Sequence, residues 1–277
     1  MLSEYQEGGK LIAGGTWVTL VLKQLLLFPT ALISLRRVPG LDRNEYKAGQ
    51  GLLIGAMVTH REVEKSTLVR QHFPVLAETF ATVANVRVRN QATVAGVLCD
   101  ADYASDPQAT LAALNASVTA VSQRGERSIP VRSLIGGHYT TVLKPDELVT
   151  HIFVPEASGP FYASYLKYRT RSREDRPCLG VAAVLRLAPD GRCKDIQIVI
   201  GAVSHTPQIV EPALMSAREQ TLTSELIDYV AERYSQEIEP ISDLRTSSWY
   251  RKKMVRVFTR RAILAALSQA EPGGSPR

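Results

Sequence analysis

Up to about residue 156, short apolar runs alternate with stretches of helical period. Residues 11–13 predict a strand, 17–27 a helix stopped by Pro29, and 31–35 a second strand, together a small β-α-β unit. Residues 45–56 predict a hairpin around Gly49-Gln50-Gly51, and Thr59 caps a short helix through Val63. Another helix is predicted from Pro74 to about Val83. Between Gln91 and Leu111 a β-branched run meets Gly96 and gives way to an acidic loop. There Asp106-Pro107 has the form of an N-cap followed by proline at the first helical position, opening a helix to about Asn115. Residues 117–121 and 128–131, turned by Arg124-Gly125, predict a hairpin, and 147–154 one more strand.

The pattern changes at Pro160. Residues 161–168, 180–187 and 196–203 predict three strands, the last two joined through Pro189-Asp190-Gly191, and an antiparallel meander is the economical arrangement. Helical periods alone follow, over about 213–219, 224–238 and 249–270. Leu226, Val230, Tyr234 and Ile238 recur at helical spacing in the second, as do Tyr250, Met254, Val257, Phe258, Ala262 and Ala265 in the third, so each buries one stripe. The expected fold class is α+β. An α/β domain over 1–157, with a β-α-β part to about residue 50 and a second α/β part over 51–157, precedes a C-terminal domain over 158–277, a three-stranded antiparallel sheet with helices. The composition shift at Glu156-Ala-Ser-Gly-Pro160 marks the boundary, and the tail from Glu271 is expected to be disordered.

At 277 residues the chain is long enough to build a full core without disulfides or metals. The apolar run over 17–28 is broken by Lys23 and Gln24, falls short of the roughly 20 residues of a membrane span, and lacks the flanks of a signal peptide. A cytoplasmic protein is expected. Three cysteines (Cys99, Cys178, Cys193) at wide spacings and five histidines without paired spacing predict no metal centre in this chain, and no catalytic triad is visible. The net charge of +6 is concentrated in two clusters, over 167–176 and 251–261. Both are expected to be solvated faces, Arg251 and Lys252 included, with contact to a partner as the alternative. Nucleic acid has only the charge in its favour, because no aromatic residues interleave the clusters as stacking platforms would.

Two segments bring backbone close to a possible anion. In Lys10-Leu-Ile-Ala-Gly-Gly-Thr-Trp-Val-Thr19 a strand runs into Gly14-Gly15-Thr16, where bare peptide N–H groups could receive a phosphate; the plain alternative is a tight strand-to-helix turn. This is neither the dinucleotide fingerprint GxGxxG nor a Walker loop. Thr93-Val94-Ala95-Gly96 repeats the theme, and two such loops could hold a diphosphate from both sides. Asp102 and Asp106 read either as a loop carboxylate and an N-cap, or as hydrogen-bond partners of a ribose or flavin edge.

In order along the chain, LIAGGTWVTLVLKQLLLFPTALISLRRVPGL, LLIGAMVTHREVE, VRNQATVAGVLCDADYASD, LKPDELVTHIFVP, YLKYRTRSREDRPCLGVAAVLRL and DLRTSSWYRKKMVRVFTRRAI resemble the FAD-binding medium subunit of molybdenum hydroxylases, the group of carbon monoxide dehydrogenase and xanthine dehydrogenase. The most specific block is VRN-x-x-T followed by ADxASD. The resemblance implies a two-part FAD-binding domain of the vanillyl-alcohol-oxidase type. It also implies a diphosphate clasped by Ala13, Gly14, Gly15, Thr16 and Trp17 on one side and by Thr93, Val94, Ala95 and Gly96 on the other. Asp106 falls on an acidic position near the cofactor, and Lys167 on a lysine that approaches the flavin, where the residue alone reads as a solvated strand lysine. A large subunit with the molybdenum cofactor and a small subunit with two [2Fe-2S] clusters are the implied partners, in two copies each, with this chain passing electrons through FAD to an acceptor.

The chain departs from the family pattern at three places. Ala95 stands where the second loop has glycine and Val97 where it has an amide, so a methyl at position 95 is expected to obstruct phosphate if φ there must be positive. The segment before Ala13-Gly14-Gly15 is short, which predicts either a truncated start or an incomplete first β-α unit. Trp17 replaces a small or acidic residue and is expected to stack or fill space. These departures keep open a second reading, a flavin-free scaffold subunit of the same kind of complex.

Overall fold

The computed structural model describes residues 2–270; the tail from Glu271 lies outside them. Helix α1 (Leu2–Tyr5) and a 3-10 turn lead into strand β1 (Gly9–Ile12), helix α2 (Val18–Lys23) and strand β2 (Ala31–Ser34). β1 and β2 pair in parallel with Leu11 opposite Ile33, so the expected β-α-β unit is formed in full despite the short lead-in. Helix α2 stops earlier than its apolar pattern predicts. No core faces the residues beyond Lys23: Leu25 adopts φ 54°, and Leu25, Leu26 and Phe28 lie exposed.

Next come β3 (Asn44–Lys47), β4 (Gly51–Gly55), α3 (His60–Lys65), α4 (Thr67–His72), α5 (Pro74–Ala81), α6 (Val86–Arg89), α7 (Val94–Cys99) and α8 (Asp106–Ala113). They are followed by β5 (Ser117–Ser122), β6 (Gly125–Pro130), α9 (Val131–Leu134), β7 (Ile135–Gly137), β8 (Thr140–Thr141) and β9 (Leu148–Pro155). The long strands make one antiparallel sheet in the order β3-β4-β9-β5-β6. Thr59 does cap α3, in a reciprocal arrangement: its hydroxyl accepts from Glu62 N–H while the Glu62 carboxylate accepts from Thr59 N–H. The β-branched run before Gly96 is not extended. Thr93 caps it into α7, an override of strand propensity by a local side-chain bond.

The remaining elements are β10 (Tyr162–Tyr168), β11 (Leu179–Leu187), β12 (Cys193–Gly201), α10 (Glu211–Ala217), α11 (Ser224–Glu237) and α12 (Ser248–Leu267). The three strands form the expected meander. Their alternation shows why β11 and β12 are nearly all apolar. Leu179, Val181, Ala183 and Leu185 join Ile196, Ile198 and Ile200 in a core with α10–α12, whereas Ala182 and Val199 point the other way, into the core of the first sheet. Helix α8 packs on β11 and β12, and all eight of its residues are buried.

The second basic cluster is not a uniformly solvated face, as expected from composition. Arg251 is fully buried: it donates from Nε to Cys178 O (2.8 Å), from Nη2 to Asp243 (3.0 Å) and from Nη1 to Ile241 O. Only a guanidinium satisfies two carbonyls and a carboxylate in one plane. Lys252, by contrast, pairs with the exposed Glu239 at the surface. Among the described residues no helix is long and apolar enough to cross a membrane. Replacing Arg251 by Met strands two buried carbonyls and takes one of two cations from Asp243, and is expected to lower unfolding free energy by about 3 kcal/mol in urea denaturation. A loss below about 1 kcal/mol would contradict this account.

Candidate functional site

Strand β1 delivers the first glycine segment. Gly15 takes φ +77°, and Gly14 lies so close to the backbone of Gln91 that a Cβ would overlap that carbonyl oxygen. Sequence-distant segments 13–17 and 91–96 are thereby brought together. The Gly15 carbonyl is taken by Thr19 N–H (3.0 Å) and Thr19 Oγ1 (2.7 Å). Among the described residues no acceptor takes the N–H groups of Gly14, Gly15 and Thr16. The Trp17 ring follows directly, 6.0 Å from Tyr139 and tilted 35° to it, with Lys10 Nζ 5.5 Å from its centroid.

The second segment is built differently from the first. Thr93 Oγ1 accepts from Gly96 N–H (3.1 Å), while Val94 N–H bonds Val58 O (2.9 Å) and Ala95 N–H bonds Ala56 O (3.4 Å). Its donors are therefore committed to the protein, and it is the first turn of α7 rather than an open loop. Ala95 has helical backbone, so the expected conflict between its methyl and a positive φ does not arise. Beneath it His60 is buried, edge-on to Phe80 at 4.9 Å, with neither ring nitrogen hydrogen-bonded. Burial pushes its imidazole down to about 4, so it is neutral. A lone histidine after a capping threonine carries no signal that would have placed it there.

The acidic loop contains the candidates Asp102 and Asp106. Asp102 Oδ1 accepts from Ala104 N–H (3.0 Å) and its other oxygen pairs with Arg176. Asp106 is the first residue of α8, not its N-cap; Ser105 holds that position without a side-chain capping bond. Freed from capping, the Asp106 carboxylate accepts from Tyr165 Oη (2.6 Å) and Lys167 Nζ (2.9 Å), and Lys167 also donates to Thr82 O (2.9 Å). Both partners are only 3–4% exposed, so Lys167 is no solvated strand lysine. Burial pushes the Asp106 carboxyl up, against the pull of Lys167 and Tyr165.

Cys99 ends α7 and Asp100 is its C-cap, at the start of the acidic loop. Cys99 keeps an exposed face while burial among its neighbours pushes its thiol up to about 12. Burial also pushes the Asp100 carboxyl up to about 8, with Arg176 and Lys10 pulling the other way. Arg176, which pairs with Asp102, also lines a cavity of about 290 Å³ with Thr170, Arg171, Glu174, Asp175 and Arg245. Opposite, Tyr103 Oη donates to Asp243 (2.9 Å), which Arg245 and Arg251 hold well below the ordinary carboxylate range.

The sequence pattern of the FAD binding domain in molybdopterin dehydrogenase matches residues 1–157, and that of the CO dehydrogenase flavoprotein C-terminal domain matches 164–266. The chain is 30% identical to the 6-hydroxypseudooxynicotine dehydrogenase complex subunit alpha of Paenarthrobacter nicotinovorans, over 98% of this chain and 91% of that one. It is 34% identical to the nicotine 6-hydroxylase medium subunit of the same organism, over 94% and 90%. The carbon monoxide dehydrogenase structure from Hydrogenophaga pseudoflava contains a chain of the same fold, with TM-score 0.93 and 28% identity, over 97% of this chain and 92% of that one.

Two variants probe this geometry. Ala95→Gly is expected to cost about 1 kcal/mol, the helix penalty of glycine, and to leave flavin affinity unchanged; a tighter dissociation constant would mean the methyl does obstruct. For Asp100, the folded carboxyl binds its proton more tightly than the unfolded one. The stability this confers is full below about pH 4 and is lost as pH rises toward 8. Asp100→Asn, which keeps the acceptor for Asp102 N–H, should therefore gain a few degrees in Tm over the parent between pH 5 and pH 9. A pH-independent difference would show that this carboxyl is not desolvated.

Proposed function

Because the chain belongs to the FAD-binding medium subunits of the molybdenum hydroxylase family, we propose that it is the electron-transfer subunit of such a complex. It takes electrons from the [2Fe-2S] clusters of a small partner subunit and passes them to an external acceptor. Its other partner is a large subunit that carries the molybdenum cofactor and oxidises the substrate, and each of the three is present in two copies. The relatives named as complex and medium subunits support a multi-subunit assembly. The division into domains over 1–157 and 158–277 belongs to the same reading, supported by two family matches that fall on either side of residue 160. FAD, when bound, supplies the redox chemistry of its ring system.

The residues present fit that group. Ala13, Gly14, Gly15, Thr16 and Trp17 form the receiving loop, with N–H groups to spare. Thr93, Ala95 and Gly96 form a rigid counterwall that holds the loop in place through Gln91, rather than a second set of donors. Asp100, held protonated at neutral pH, adds no repulsion against a diphosphate. Asp102 positions Arg176, a cation at the cleft. Asp106 and Lys167, locked to each other, fix the far end of the site.

The observation that carries the reading is the contact of Gly14 with Gln91, because it makes the spacing of the two segments depend on a missing side chain. Gly14→Ala must push them apart. The purified variant, alone or within its complex, is expected to lose at least nine-tenths of its flavin while the C-terminal sheet stays folded. Normal flavin content would remove the first loop from the site, and a colourless parent that still assembles would return the scaffold reading.

A further inference from the structure

Five rings from four separate segments meet beside the first glycine loop. Trp17 follows the first glycine loop, Tyr103 lies on the acidic loop, His138 and Tyr139 sit in the turn between β7 and β8, and His205 follows β12. Trp17 lies 6.0 Å from Tyr139, Tyr139 4.5 Å from His138, and His138 is stacked on His205 at 4.8 Å with 22° between the planes. Tyr103 stands edge-on to both histidines, at 5.6 and 6.0 Å. The strip thus runs without a break from the loop that receives the diphosphate to the C-terminal half of the chain.

Each of the four segments also contains a residue in the left-handed region. These are Gly15 (φ 77°), Ala101 (48°), Tyr139 (52°) and Ala202 (64°). For the three that carry a Cβ this conformation costs roughly 1–2 kcal/mol each. The surroundings enforce it: Ala202 N–H bonds Tyr103 O (3.1 Å), and the Tyr103 hydroxyl is held by Asp243. Tyr139 itself has the fewest constraints and stays 42% exposed, an aromatic ring left open beside the others. A fold that fixes four loops at a cost, and leaves a bare ring among them, has prepared a seat for another flat ring.

We propose that this strip is the ring-binding wall of the cofactor cleft, with Tyr139 stacking on an aromatic heterocycle of the dinucleotide. The inference rests on the FAD-binding reading above and assigns it residues that the glycine loops do not include. Isoalloxazine and adenine share the required chemistry, a planar π-system at one end of a diphosphate. Tyr103, His138 and His205 act as positioning residues behind Tyr139.

The test uses the full chain freed of flavin and compares Tyr139→Gly, which accepts φ 52° without strain, with Tyr139→Phe, which keeps the ring. Dissociation constants for FAD, FMN and ADP are measured for each, with Tm as a check on folding. Tyr139→Gly should weaken FAD binding about tenfold while Tyr139→Phe stays within about twofold of the parent, at unchanged or higher Tm. A matching loss for FMN assigns the isoalloxazine to Tyr139, and a matching loss for ADP assigns the adenine. FAD binding by Tyr139→Gly equal to the parent's overturns the inference alone. A parent that takes up no FAD, FMN or ADP overturns it together with the reading beneath it.

Discussion

The architecture of the site depends on a buried ion pair. Taking a carboxylate and an ammonium out of water costs several kcal/mol per ion, and their attraction offsets this only when the remaining donors and acceptors are satisfied too. Asp106 and Lys167 meet that condition: Tyr165 supplies a second donor to the carboxylate, and Thr82 O receives the ammonium. Tyr165 reaches Asp106 across Gly180, where any Cβ would overlap its hydroxyl. One interaction therefore fixes the start of α8, the middle of β10, the end of α5 and a bare point on β11. The acidic loop that leads into α8 is held at its far end by this pair, and the cleft wall takes its position from that loop.

How the cleft treats charge follows from the same economy. In the proposed site an anion meets chiefly the peptide N–H groups of one loop, with Lys10 and Arg176 as the nearby cations and Asp102 holding the latter. Dipoles fixed in the backbone need no reorganisation when a charged guest arrives, whereas long cationic side chains must first be ordered. The carboxyl of Asp100 would oppose this, but burial keeps it neutral at physiological pH. The strain in Ala101, Tyr139 and Ala202 belongs to the same design, since energy spent on loops in advance is not spent on binding.

Sequence patterns made some parts of this legible and hid others. The meander β10–β12 was readable because its strands alternate between two cores, and the first glycine segment because strand, glycines and helix start follow one another locally. The Asp106-Pro107 signal gave the right helix start, but the carboxylate found partners 59 and 61 residues away that outcompeted capping. Thr93–Gly96 was misleading in another way: it reads as an open loop for a diphosphate, and a single hydroxyl bond made it the first turn of α7. Charge counting placed Arg251 on the surface because nothing local reports that its acceptors, at 178, 241 and 243, converge in the interior. The five rings were invisible for the same reason, being separated by up to 188 positions.

Helix α8 has no solvent face. One side belongs to the core of the five-stranded sheet and the other is covered by β11 and β12, which lie more than sixty residues further along the chain. During synthesis the first half therefore leaves the ribosome with this helix uncovered, and at about 5–20 residues per second it waits several seconds for the strands that close over it. The proposed site, which joins Trp17 and Tyr139 to His205, is complete only after that closure. If the proposed site is the cofactor's, loading follows synthesis of the C-terminal strands.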